Sequence, residues 1–211
     1  CEDARTDFVA VGDTVEAARC ELLLARIVQQ AGDLATSLEH AQAARRLFRR
    51  AGARQGVAQS DNLVGEIARQ AGDLEGAERA YRAALLRWET IGHSHATFAR
   101  ANLGLVTLER GDAVAAHPLL LRSLEQFERE GRAAITAQLL AALLPCEAAC
   151  GHWQAFDARA ARVFELVAQT GLADSDTARM AERAGTFAAI GGHPERARLA
   201  WRFAAAQYRG L

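Results

Sequence analysis

The stretch that decides the fold is ARQAGDLEGAERA, residues 68–80, because its AGDL recurs in VQQAGDLATSLEH, residues 28–40, at the same point of a helical pattern. Working outward from Gly72-Asp73, the same turn stands at Gly32-Asp33, Gly111-Asp112, Gly151-His152 and Gly192-His193, with spacings of 40, 39, 40 and 41 residues. The flanks repeat too. Eight residues before the turn stand Leu24, Val64, Leu103, Leu143 and Ala184, and five before it Ile27, Ile67, Val106, Cys146 and Phe187. Offsets of three to five residues place these side chains on one face of a helix. Sixteen residues after the turn stand Phe48, Trp88, Phe127, Val167 and Tyr208, and a second glycine then follows at Gly52, Gly92, Gly131 and Gly171, the position of a left-handed helix C-cap. Each unit therefore reads as helix, tight turn, helix, loop, with Gly for backbone freedom at the hinge and Asp as N-cap of the second helix. Gly65, Gly104 and Gly185 in the first helices are expected to face Ala77, Ala116 and Ala197 in the second, where two backbones approach closely.

A single such hairpin cannot cover its own apolar face, so neighbours must stack. The expected repeats are residues 12–52, 53–92, 93–131, 132–171 and 172–211 of one repeat domain, 1–211. Phe8 lies forty residues before Phe48 and Gly12 forty before Gly52, so residues 1–11 read as a truncated helix, the tail of a hairpin whose first partner is missing, in preference to a lipoprotein-like start at Cys1.

Composition excludes several classes. Half the residues are apolar, 24% are charged, and three prolines interrupt the chain, which excludes disorder and collagen-like structure. A net charge of -1 gives no global pull toward nucleic acid or an anionic membrane. The apolar runs are broken by Arg, Glu or Gln, so no membrane association is expected, and four cysteines are too few for a disulfide framework, which agrees with a cytoplasmic setting. All 25 basic residues are Arg, a bias of GC-rich bacterial coding.

Segments 62–85 (NLVGEIARQAGDLEGAERAYRAAL) and 102–124 (NLGLVTLERGDAVAAHPLLLRSL) resemble tetratricopeptide repeats, with a small residue in the first helix, Gly-Asp at the turn, and Ala, an aromatic or Leu, and Ala in the second. The period of about 40 residues is longer than the usual 34, as in the long-repeat variant of bacterial regulatory proteins, and the proline that closes each repeat in the family is missing. The resemblance implies an all-α, right-handed α-solenoid of antiparallel helix hairpins, with the first helix of each pair lining a concave wall that binds peptides, partner helices or small molecules. By register that wall comprises Arg19, Arg26, Gln59, Asn62, Glu66, Arg69, Phe98, Asn102, Leu105, Gln138, Arg179 and Glu182. The paired Lys and Asn that clamp a C-terminal carboxylate in chaperone-binding members are not reproduced. The expected role is a non-enzymatic protein- or peptide-binding scaffold of a larger bacterial signalling or transcription regulator, without cofactor. Its partner is a peptide or helix, or another domain of the same chain, and exposed array ends can form a homodimer. The alternative is an inducer-sensing domain for a small molecule.

Other chemistry reads weakly. Cys146, Cys150 and His152 match no standard zinc spacing and occupy core and turn slots, and His93-Ser94-His95 reads as a loop with Ser94 capping the next helix. ARRLFRRAGAR (44–54) clusters five arginines at a helix C-terminus, where the helix dipole favours cations, so a solvated face is preferred to a nucleic-acid site. No catalytic constellation is present in the motifs. Repeat four departs from the others: Leu144 and Phe156 stand where Gly or Ala is expected, and Pro145 falls inside the first helix, which predicts either drift absorbed by repacking or a kink that shapes a site.

Overall fold

A computed structural model describes residues 8, 12–171 and 173–210; of the truncated helix expected over 1–11 only Phe8 is described, as helical, and the remainder lies outside the described residues. Every described element is an α-helix: α1 (Thr14–Gln30), α2 (Leu34–Arg50), α3 (Arg54–Gln70), α4 (Leu74–Thr90), α5 (Ala96–Glu109), α6 (Ala113–Arg129), α7 (Ala133–Cys150), α8 (Trp153–Thr170), α9 (Ser175–Ile190) and α10 (Pro194–Arg209). They form consecutive hairpins, the all-α architecture of a solenoid. The chain divides into two compact units, Cys1–Val106 and Thr107–Leu211.

Local chemistry sets the ends of these helices. Gly32 and Gly52 adopt φ of 86° and 69°, a region that costs a residue with a Cβ about 1 kcal/mol or more, and their register mates do the same. The Asp side chain after the hinge then caps the next helix: Asp33 accepts from the Thr36 amide at 3.1 Å, Asp73 from Gly76 at 2.8 Å and Asp112 from Ala115 at 2.9 Å. His152 and His193 hold the same slot without a side-chain cap, and at the second of these Pro194 opens α10 instead. Ahead of α5, His93 Nδ1 accepts the His95 amide at 3.1 Å, a bond within the turn.

In the first unit α1 packs on α2, α2 on α3 and α3 on α4, and α1 also meets α3. In the second, α6 packs on α7, α7 on α8 and on α9, and α9 on α10, while α8 touches α10. The aromatic slot sixteen residues after the hinge is buried at Phe48, Trp88 and Phe127, each contributing roughly 1.5–3 kcal/mol of burial. Tyr208 in the same slot is 45% exposed, because α10 has no further described helix beside it. Ile27 is likewise half exposed where Ile67 and Val106 are buried, and Cys150, expected in the core, is only partly buried; its register mates Ala31 and Ala71 are exposed, so the slot lies at the end of the helix rather than under the next one.

The helix crossings are built differently from the expected glycine-on-alanine pairing. A Cβ on Gly65 would lie 2.7 Å from the Tyr81 ring, and one on Gly185 would lie 2.4 Å from the Trp201 indole. Each glycine is a recess filled by an aromatic ring nine residues past the hinge. Where the first helix carries Ala25, the second carries Ala41, both in one cluster. Repeat four inverts the arrangement: Leu144 on α7 meets Ala160 on α8, with Phe156 fully buried beside them. At this pair the bulk has moved from the second helix to the first, and Phe156 fills the slot that Ala77 holds in repeat two. α7 runs unbroken through Pro145, and the space between Leu144, Phe156, Ala160, Val163 and Phe203 is about 10 Å³, no more than one water could occupy. The irregular repeat is thus absorbed by repacking, and no ligand-sized gap opens there. α7 is also long and apolar enough to cross a membrane, contrary to the expectation that no such run exists, but two-thirds of it is buried inside the second unit, as in a core helix.

Candidate functional site: a groove in the first unit

The first helices α1, α3 and α5 line a groove of about 440 Å³ in the first unit. Its walls include Arg26, Gln59, Asn62, Glu66, Phe98 and Asn102, all placed there by register. Their spacing explains the convergence: Asn62 and Asn102 are one repeat apart and occupy the same angular position on successive first helices. Asn102 Nδ2 donates to Asn62 Oδ1 at 3.4 Å, and Asn62 Nδ2 donates to Glu66 Oε1 at 2.6 Å, so the polar side of the groove is a relay of two amides and a carboxylate. Burial pushes the Glu66 carboxyl above its ordinary range, against the pull of Arg26, the Asn62 hydrogen bond and Arg69.

The opposite side is aromatic. Trp88, His95 and Phe98 line it, with ring centroids 5.5 Å apart for Trp88 and His95 and 6.0 Å for His95 and Phe98. His93 extends the stack, its Nδ1 2.9 Å from that of His95 and its Nε2 3.0 Å from Gln55 Nε2. Trp88 is 2% exposed, and its indole N–H finds no acceptor among the described residues, an unusual state for a buried donor. Leu22, Trp88 and His95 were missed from sequence: Trp88 read only as core from its register, and His95 as loop. An aromatic that packs the hairpin with one face and floors a groove with the other carries no separate sequence signal.

The remaining wall candidates lie elsewhere. Arg19 is exposed and pairs with Glu16 at 2.5 Å; Arg69 and Leu105 are partly buried and do not line the groove. In the second unit Gln138 is partly buried on α7, Arg179 is exposed and paired with Asp176, and Glu182 accepts the Tyr208 hydroxyl at 3.3 Å; no described pocket collects the three. In the arginine cluster, Arg45 donates to Asp61 Oδ1 at 3.1 Å while Arg87 from α4 donates to Oδ2 at 2.8 Å, and Arg46, Arg49 and Arg50 are exposed. Cys146 is fully buried with its Sγ 3.5 Å from the Ala142 carbonyl, and burial pushes its thiol up to about 12, the state of an inert core cysteine.

Residues 56–129, which run from the first turn of α3 through the Gly72-Asp73 hinge, α4 and α5 to the end of α6, match the tetratricopeptide repeat family model. The matched segment, about a third of the chain, carries tetratricopeptide repeats. No curated protein matches the chain's sequence. Among solved structures, this chain is similar to aspartyl phosphate phosphatase F from Bacillus subtilis, at 12% identity and a TM-score of 0.72, over 97% of this chain and 63% of that one. It is similar to a Rap protein complexed with competence and sporulation factor, at 13% identity and a TM-score of 0.66, over 92% of this chain and 64% of that one. It is also similar to YrrB, described as a TPR protein with an unusual peptide-binding site, at 19% identity and a TM-score of 0.65, over 97% and 92% of the two chains. The chain thus spans less than two-thirds of the phosphatase and of the Rap protein, and at these identities the likeness is one of fold.

Proposed function

We propose that the first-unit groove binds an extended peptide segment of a partner protein, and that the chain is a non-enzymatic scaffold within a larger bacterial signalling or transcription regulator of the cytoplasm. The observation that carries this reading is the pair of adjoining amides, Asn62 and Asn102, facing the Trp88, His95 and Phe98 wall. A carboxamide offers one acceptor and two donors and pairs with a peptide group whatever its side chain. Side chains of an extended chain alternate, so one set can enter the aromatic wall while the backbone meets the amides. One of the similar structures, YrrB, is described with an unusual peptide-binding site, which supports the same ligand class.

A small inducer molecule is the second reading, favoured by the groove volume of about 440 Å³, within the range of small-ligand sites. Screening a random-peptide display library against the chain, followed by calorimetry, tests the first. Asn62→Ala with Asn102→Ala is expected to weaken the selected peptides at least tenfold. Binding that ignores both substitutions, or a thermal shift obtained with metabolites and never with peptides, would overturn it. Trp201 and Tyr208, seven residues apart on one face of α10, are 42% and 45% exposed, and we retain pairing of two copies through this face as a proposal that light scattering decides.

A further inference from the structure

In the second unit α6, the C-terminal half of α7 and the α7–α8 turn bring together two imidazoles and a carboxylate, and we propose that they bind a divalent transition-metal ion of the zinc class. Glu147 on α7 is 1% exposed. His117 Nε2 from α6 lies 2.9 Å from its Oε1, and His152 Nδ1 from the turn lies 3.0 Å from its Oε2. The three donor atoms all lie within 4.8 Å of one another.

Internal comparison of the repeats singles out the same residues. The slot of Glu147, four before the hinge glycine, holds Val28, Ala68, Thr107 and Ala188 in the other copies; that of His152 holds Asp33, Asp73 and Asp112, which cap helices, and His193, which like His152 does not, so it is Glu147 that sets this repeat apart. A carboxylate has therefore replaced a small or apolar residue in a packed position, at a desolvation cost that one cation would offset. Arg159 NH2, 3.1 Å from Oε1, supplies that cation, yet two imidazoles converge on the carboxylate as well.

The geometry suits an ion. Zinc bonds of about 2.0–2.2 Å put adjacent ligand atoms roughly 3–3.5 Å apart, so the two histidine–carboxylate separations need to open by only a few tenths of an ångström, and the two ring nitrogens already lie within 4.8 Å of each other. His152 has a side-chain exposure of 56% against 20% for His117, which leaves an entry path and a coordination position for water. Two imidazoles with one carboxylate select zinc, cobalt, nickel or copper over magnesium and calcium, which require more oxygen donors. Arg159 can keep one lone pair of Oε1 while the ion takes Oε2, at the cost of repulsion between the two cations. That repulsion makes the proposal sharply testable: removing Arg159 should tighten the metal and destabilise a purely structural network.

The intact chain, stripped with chelator, is titrated with Zn²⁺ by calorimetry and with Co²⁺ by visible absorption. One ion per chain is expected in the micromolar range, with a four- or five-coordinate cobalt band. Binding should weaken about tenfold or more in His152→Ala, whose ring is half exposed and whose loss leaves the fold intact, and similarly in Glu147→Gln. Arg159→Gln should bind about tenfold more tightly. His93→Ala with His95→Ala and Cys150→Ser, which remove other donors, should leave it unchanged. No binding at zinc on the order of hundreds of micromolar would overturn the proposal. So would binding untouched by His152→Ala but lost in the His93/His95 or Cys150 variants.

Discussion

Gly65→Ala adds one methyl group to α3 where the Tyr81 ring already stands. The new Cβ would lie 2.7, 2.8 and 3.0 Å from three ring carbons, whereas ordinary contact begins at 3.4 Å, so the ring must retreat by about 0.7 Å. Tyr81 is 1% exposed, so its retreat displaces other core atoms. Overpacking of this kind costs about 1–3 kcal/mol. Alanine returns about 1 kcal/mol of helix propensity, leaving a net loss of up to about 2 kcal/mol. At about 2–4 °C per kcal/mol, the midpoint of thermal unfolding followed by circular dichroism should fall by up to roughly 8 °C. Tyr81→Leu in the same chain should relieve the clash, with a coupling energy of about 0.5–3 kcal/mol in a double-mutant cycle. Gly185→Ala is the internal control: its ring, Trp201, is 42% exposed and can swing outward, so the net change should stay within about 0.5 kcal/mol. A Gly65→Ala chain more stable than the parent would show that propensity alone governs the site and would refute the ring-in-recess account of the hairpin.

Glu66→Gln should stabilise the protein at neutral pH, read from urea unfolding at a series of pH values. The folded-state pKa of Glu66 is raised, chiefly by burial, so its protonation contributes stability that is complete below the unfolded value of about 4.3 and is lost as pH rises through the raised folded value. The variant's advantage must therefore vanish in acid; an advantage independent of pH would contradict it. Asp61→Ala, which releases Arg45 and Arg87 from a carboxylate that is 2% exposed, should cost about 1.5–3 kcal/mol by the same urea measurement, since both arginines can rehydrate. A change below about 0.5 kcal/mol would show that the bridge between α2, α3 and α4 is energetically idle.

The helix ends and hinges were legible in sequence because their causes are local. A left-handed backbone favours Gly, and an aspartate reaches the amide three residues on; neither depends on distant residues, so Gly32-Asp33 and Gly72-Asp73 announce the turns by themselves. Register also carried half of the proposed wall into one groove, since Asn62 and Asn102 sit one repeat apart on like helices. It could not carry the rest: Arg19 and Arg69 share the period but do not line the groove, and Trp88 and His95 enter it from positions that read as core and loop.

What the sequence by itself determined was the alternation of helix and hinge and the faces that must be buried, for these follow from backbone sterics, caps and period. Only the tertiary structure decided which partner fills each recess: Tyr81 and not Ala77 against Gly65, Ala160 against Leu144, and His117 and Arg159 around a Glu147 far from either in the chain. Packing conserves volume and satisfies buried charge across helices, and such exchanges between elements leave no periodic trace in either one.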